Sequence, residues 1–249
     1  MTTNVNALVT GANKGIGFET ARRLAAMGFK VWLGARDAER GEAAAKTLRN
    51  EGLDVEWLEL DVASDDSVTA AAKTMTARIS SLDALVNNAG IAPGYVHALG
   101  PDGRYERPPS RESVADMKAT YDVNVFGPVR VTQAFLPLLL ASPAARIVMV
   151  SSYLGSIARA ADNSQSPNVM GYGSSKTALN AITVAFAREL SPRGIMVNAA
   201  APGYTATDLN AHKGGRTVQQ AAGIIVQLAT LKAGSPTGGY FDENGPLPW

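Results

Sequence analysis

The sequence predicts an α/β fold, a doubly wound parallel sheet of about seven strands with helices on both faces, built by residues 1–249 as a single domain. Three observations predict it. Short apolar runs alternate with longer amphipathic stretches, the order that gives parallel strands joined by crossover helices. The short runs are continuously apolar, as strands covered on both faces must be. The unusual clusters of Gly, Asn, Ser and Tyr all fall just after a predicted strand, at the sheet edge where ligands bind in such folds.

Each element follows in order. Residues 5–10 (VNALVT) read as the first strand and 15–27 as the first helix; 30–34 and 38–50 repeat the pair, the second helix rich in Ala, Glu, Lys and Arg. Strand 55–60 precedes helix 67–79, and 84–87 is the fourth strand. A long helical pattern spans 111–140, with a kink or step expected at Pro128 and Pro137. Strand 147–151, helix 172–190, strand 196–200, helix 217–229 and a short strand at 239–241 complete the chain. Residues 91–110, with three glycines and four prolines, and the polar stretch 158–170 read as loops at one rim of the sheet.

Composition excludes several classes. With 23 basic and 22 acidic residues spread along the chain and a net charge of +1, no block of charge points to nucleic acid or an anionic membrane. The chain has no cysteine and only two histidines, His97 and His212, so disulfides, thiolate zinc sites and cysteine nucleophiles are out and no metal is expected. Residues 1–6 lack the basic-then-apolar pattern of a signal peptide. The apolar stretch 134–141, interrupted by Pro137, is too short to cross a bilayer, so a cytoplasmic protein is the expectation.

After the first strand comes Thr10-Gly11-Ala12-Asn13-Lys14-Gly15-Ile16-Gly17, a G-x-x-x-G-x-G loop opening a helix. The first glycine supplies a tight turn. The later ones let a ligand approach and the helix pack closely, and the helix N-terminus offers N–H groups to a diphosphate. This is a Rossmann-type dinucleotide cradle; its spacing is not that of a P-loop. An NAD site would place a carboxylate at the end of the second strand for the ribose hydroxyl. The strand ends Gly34-Ala35-Arg36 instead, and Arg36 with Lys14 suits a 2′-phosphate, so NADPH/NADP+ is the expected cofactor. Asp61 and Val62 follow the third strand and suit the adenine. In Asn87-Asn88-Ala89-Gly90 one asparagine caps the strand and Asn88 is assigned the cofactor contact.

Tyr172 and Lys176 stand four apart at the start of a helix and share a face. A tyrosine hydroxyl titrates near ~10 and needs a cationic neighbour to work as an acid–base group at neutrality. Ser152, in Ser151-Ser152-Tyr153-Leu154-Gly155, is placed to hydrogen-bond a substrate carbonyl, and Ser151 reads as a structural hydroxyl. Asn124 is a mediocre helix former inside the long helix. It reads either as a solvent-facing residue or as the mark of a kink whose carbonyl or side chain holds a water leading from Lys176 to bulk.

TGANKGIG, NNAG, Asn124, SSYLG, YGSSK and the segment Pro202-Gly203-Tyr204-Thr205-Ala206-Thr207 occur in this order between residues 5 and about 241. Together they resemble the short-chain dehydrogenase/reductase family. Lys14, Arg36, PGYTATDL and the end of the sequence from Gly239 through Phe241 to Trp249 look most like its NADPH-dependent carbonyl reductases. The resemblance implies that Tyr172 is the general acid in reduction, that Lys176 holds the nicotinamide ribose and lowers the tyrosine pKa, that Ser152 orients the carbonyl and that Asn124 anchors a relay water. It also implies that Pro202, Gly203, Thr205 and Thr207 meet the nicotinamide carboxamide. Ser152 and Tyr172 lie twenty apart, more than in most of the family and less than in the animal carbonyl reductases, which leaves monomer and homo-oligomer both open.

The expected reaction is reduction of a ketone or aldehyde carbonyl on a small molecule. Its alternatives are oxidation of an alcohol on the same site and a non-catalytic NADP-binding role. An α/β-hydrolase lacks its G-x-S-x-G here. Ile91, Tyr95, Tyr153, Met170, Tyr204 and Trp249 are expected to line a hydrophobic substrate pocket, with no pocket cation for a charged substrate.

Overall fold

Seven of the apolar runs pair in parallel: β1 (Asn6–Thr10), β2 (Lys30–Ala35), β3 (Val55–Glu59), β4 (Ala84–Asn87), β5 (Arg146–Val150), β6 (Met196–Ala200) and β7 (Tyr240–Asp242). An eighth strand, β8 (Gly245–Pro246), pairs antiparallel with β7 and was not legible in the sequence, because two residues carry no pattern. The strand order is β3-β2-β1-β4-β5-β6-β7-β8. These positions come from a computed structural model that describes residues 5–93, 95, 98, 107–162 and 169–249. The chain leaves β1 toward one edge and β4 begins the other half, so the order reverses between β1 and β4. A crevice opens at such a reversal, beyond the carboxyl ends of the two strands.

Side-chain alternation sends successive residues of each strand to opposite faces. Ala7, Val9, Val31 and Leu33 pack under α1 (Gly15–Ala26), α2 (Ala38–Asn50) and α8 (Val218–Ala229). Leu8, Trp32 and Leu85 pack under α3 (Asp65–Thr76), α5 (Gly127–Ala141) and α7 (Met170–Leu190).

The long helical pattern is α4 (Val114–Tyr121), a π turn (Asp122–Phe126) and α5. Pro128 explains the step. It has no N–H for the carbonyl four residues back, which is that of Asn124, and its ring crowds that carbonyl. Pro137 sits inside α5 and does not end it. Arg130 pins the step from the next turn: its guanidinium meets the Asp65 carboxylate at 2.6 Å, and that of Asp122 at 2.8 Å. The helical run 114–141 is, against expectation, long and apolar enough to cross a membrane by length and composition. More than half of its apolar window is buried, and α5 packs on α3 and β4.

The stretch expected as a loop after residue 158 departs at its start. Residues Ile157–Asp162 form α6, anchored by its first turn: Ser156 Oγ accepts from Arg159 N–H (3.2 Å) and donates to the Pro248 carbonyl (2.8 Å). Residues 163–168, and most of 94–106 including His97, lie outside the described residues.

Candidate active site

The crevice is a cleft of about 1760 Å³, larger than the ~300–1,000 Å³ that one drug-sized ligand needs. The glycine loop forms one end. Gly11 has φ +62°, and a Cβ there would stand 2.8 Å from the Ala89 backbone. A Cβ on Gly17 would collide with the Asn88 amide. That amide holds the turn: its nitrogen donates to the carbonyls of Thr10 (2.9 Å) and Gly11 (3.1 Å), and the Thr10 hydroxyl accepts from the N–H groups of Asn88 and Ala89. The Asn88 nitrogen is therefore occupied in shaping the cradle, and the residue itself lines the cleft as expected. Asn87 is buried and donates to Thr132.

Helices α2, α3, α4 and α8 each begin on a side chain that accepts from their first turn. No side chain caps α1, whose opening residues Gly15, Ile16 and Gly17 line the cleft together with Asn13. The N–H groups of that turn suit an anion. Three cations line the same end, Lys14, Arg36 and Arg40. Lys14 pairs with Asp208, which also meets His212 and is held below the ordinary carboxylate range. Arg40, missed in the sequence, pairs with Asp37 at 2.8 Å. Asp37 caps α2 and is the carboxylate nearest the place that an NAD site would use; it is committed to the Arg40 backbone and guanidinium. The Asp-x-x-Arg spacing at the start of α2 was the overlooked signal. Arg36 is exposed and makes no ion pair among the described residues. Asp61 and Val62 line the cleft as expected.

At the other end stand Ser152, Tyr172 and Lys176. Ser152 Oγ accepts from the Leu154 N–H at 3.2 Å, which leaves its proton to donate. Its hydroxyl also favours the ionised Tyr172, but burial outweighs this and pushes the phenol up to about 12. Lys176 lies 5.6 Å from the Tyr172 ring centre and donates to the Val150 carbonyl at 2.8 Å; burial pulls it down to about 8. Asn124 is fully buried in the π turn. Its Oδ1 accepts from Ile91 N–H (2.8 Å), and its Nδ2 donates to the Ile91 carbonyl (2.9 Å) and Ser175 Oγ (3.1 Å). Ser175 in turn donates to the Tyr172 carbonyl at 2.7 Å. The solvent-facing reading and the water-holding side chain are both corrected: this amide ties the loop after β4 to the tyrosine helix. Ser151 donates to Asn180 at 2.6 Å, the structural role expected of it.

Pro202, Gly203, Tyr204, Thr205 and Thr207 line the cleft, with Thr207 over the glycine turn. Thr205 is buried and donates to its own loop at the Gly203 carbonyl (3.1 Å), so its hydroxyl serves the loop. Of the substrate-pocket residues, Ile91, Tyr95, Tyr153 and Tyr204 line the cleft, while Met170 and Trp249 do not. Trp249 stacks on Tyr240, whose hydroxyl donates to the Ser152 carbonyl at 2.5 Å. It therefore stands behind the site. Nor is the pocket without a cation: Arg159 lines it.

A family model described as short chain dehydrogenase matches residues 5–216. The chain is 38% identical over 238 residues to the short-chain dehydrogenase anuI of Penicillium roqueforti (92% of this chain, 89% of the relative). It is 33% identical over 306 residues to (-)-isopiperitenone reductase of Mentha piperita (97% of each). Among solved structures, NADPH-bound carbonyl reductase from chicken fatty liver superposes with a TM-score of 0.84 at 28% identity (99% of this chain, 100% of that one). Salutaridine reductase from Papaver somniferum gives 0.82 at 27% (96% and 100%). With its reversed strand order, glycine cradle and Ser–Tyr–Lys cluster, the chain belongs to the short-chain dehydrogenase family of oxidoreductases.

Proposed function

We propose that this protein reduces a ketone or aldehyde carbonyl of a small molecule to the alcohol with NADPH. The observation that carries the reading is the cluster of Ser152, Tyr172 and Lys176 at the end of the cleft away from the glycine cradle. The Tyr172 phenol holds its proton at neutrality and can give it to a substrate oxygen in reduction. The chicken carbonyl reductase named above is NADPH-bound, and relatives include isopiperitenone and salutaridine reductases, which supports the same direction.

The cradle fits NADPH: a turn closed to side chains, an uncapped helix start, and Arg36 open for a 2′-phosphate. NADPH bound there supplies the hydride. Ser152 donates its free proton to the substrate carbonyl and steadies the oxygen as charge develops. Tyr172 donates its hydroxyl proton to that oxygen. Lys176, anchored on Val150, has further N–H groups for the cofactor ribose. The Asn124 carbonyl, deprived of an α-helical donor by Pro128, holds a water that returns the proton, and its side chain keeps the turn in place.

The test mixes purified protein with NADPH and a panel of aryl ketones, α-keto esters and quinones, and follows reduced-nicotinamide absorbance. Turnover falling about 10²–10⁴-fold in Tyr172→Phe is expected. Absent turnover with tight NADPH binding would replace this reading by a non-catalytic binding role.

A further inference from the structure

We propose that Arg159 makes this site selective for carbonyl compounds that carry an anionic group, a carboxylate or similar oxyanion, beside an apolar body. This inference rests on the reductase reading and specifies its substrate class.

Arg159 lines the cleft from α6, seven residues beyond Ser152 in sequence. Its guanidinium lies 4.7 Å from the centre of the Tyr153 ring. That stacking holds a flat cation against the wall next to the reacting end. Its backbone is fixed too, through the N–H donated to Ser156 and the N–H of Ala158 donated to the Trp249 carbonyl at 3.0 Å.

The cation is open. Among the described residues Arg159 has no ion pair, whereas Lys14 and Arg40 at the far end are matched by Asp208 and Asp37. The carboxylates on the neighbouring β7–β8 turn are engaged elsewhere. Asp242 accepts from the Tyr153 hydroxyl (2.8 Å) and Asn244 N–H (2.7 Å), and Glu243 pairs with Arg216. The other side chains of that end, such as Ile91, Tyr95, Leu154 and Tyr204, are apolar or neutral, and Lys176 is taken by the Val150 carbonyl and, in the reductase reading, by the cofactor ribose. A carboxylate brought in on an apolar ketone would find one donor pair, and guanidinium binds carboxylate in two-point fashion. At a partly wet rim such a bond is worth about tenfold in affinity.

The test compares benzoylpropionate with its neutral methyl ester, using NADPH and the wild-type, Arg159→Gln and Arg159→Lys proteins. In parallel, calorimetry measures phenylbutyrate against phenylbutyramide on the NADPH-loaded protein. Wild type is expected to favour the acid about tenfold in kcat/KM and in binding. The ratio should fall to about one in Arg159→Gln, be largely kept in Arg159→Lys, and shrink in high salt. Equal treatment of acid and neutral partner by wild type, or a ratio that Arg159→Gln leaves intact, overturns the proposal. If no ketone is reduced while the binding preference persists and needs Arg159, the reductase reading fails and the anion selectivity stands.

Discussion

Replacing Asn124 by Ala tests whether this residue is a strut. Three hydrogen bonds vanish: two to the Ile91 backbone at 2.8 and 2.9 Å and one to Ser175 at 3.1 Å. Each contributes about 1 kcal/mol net. The Ile91 backbone is only partly buried, so water can re-pair it and the loss stays near that sum, about 3 kcal/mol. For a chain of this size each kcal/mol moves Tm by about 2–4 °C, giving a fall of roughly 6–12 °C. Differential scanning calorimetry of both proteins reads it. A drop of less than about 2 °C together with a large loss of kcat would refute the strut. It would return Asn124 to the role of a side chain acting on solvent or substrate.

Other consequences follow from the same geometry. Arg36→Asp should lower the kcat/KM ratio of NADPH to NADH at least tenfold, since an exposed unpaired guanidinium becomes a repelling carboxylate; an unchanged ratio would place the 2′-phosphate on Arg40 or Lys14. Gly17→Ala should weaken NADPH binding, followed by fluorescence titration, because the new methyl displaces the Asn88 amide that holds the cradle. Lys176 gives a pH signature. Its pKa is about 8 folded and near the ordinary 10.5 unfolded, so between these values the unfolded chain holds the extra proton and stability rises with pH. From about pH 7.5 to 9.5 this contributes about 2 kcal/mol, below the range where the buried tyrosines ionise. Urea unfolding of Lys176→Met at the two pH values should lack that rise, and an equal rise in both proteins would assign it to other groups.

The alternating plan was legible in the residues, because it depends on local pattern. The bounds of α2, β4 and β6 coincide with those read from apolar runs and turn residues. The glycine loop and the Tyr172–Lys176 pair were legible for the same reason, since their chemistry depends on spacing within one turn. The short α6 and β8 were not: neither is long enough to show a period, and α6 is held by a contact with distant Pro248.

The order of residues settles which groups can do chemistry and the succession in which strand ends present them. Which of those groups remain available is settled only once the chain is folded. The side chains of Asn124 and Thr205 looked like ligands to cofactor or water, yet in the fold their polar atoms satisfy backbone groups that burial would leave unpaired. Lys14 was read as a cation for the 2′-phosphate and is matched by a carboxylate 194 residues away, while Arg159, in a stretch read only as a loop, stands open in the cleft. Spacing along the chain specifies local geometry, but pairing, burial and the pKa of Tyr172 are set by residues brought together from far apart.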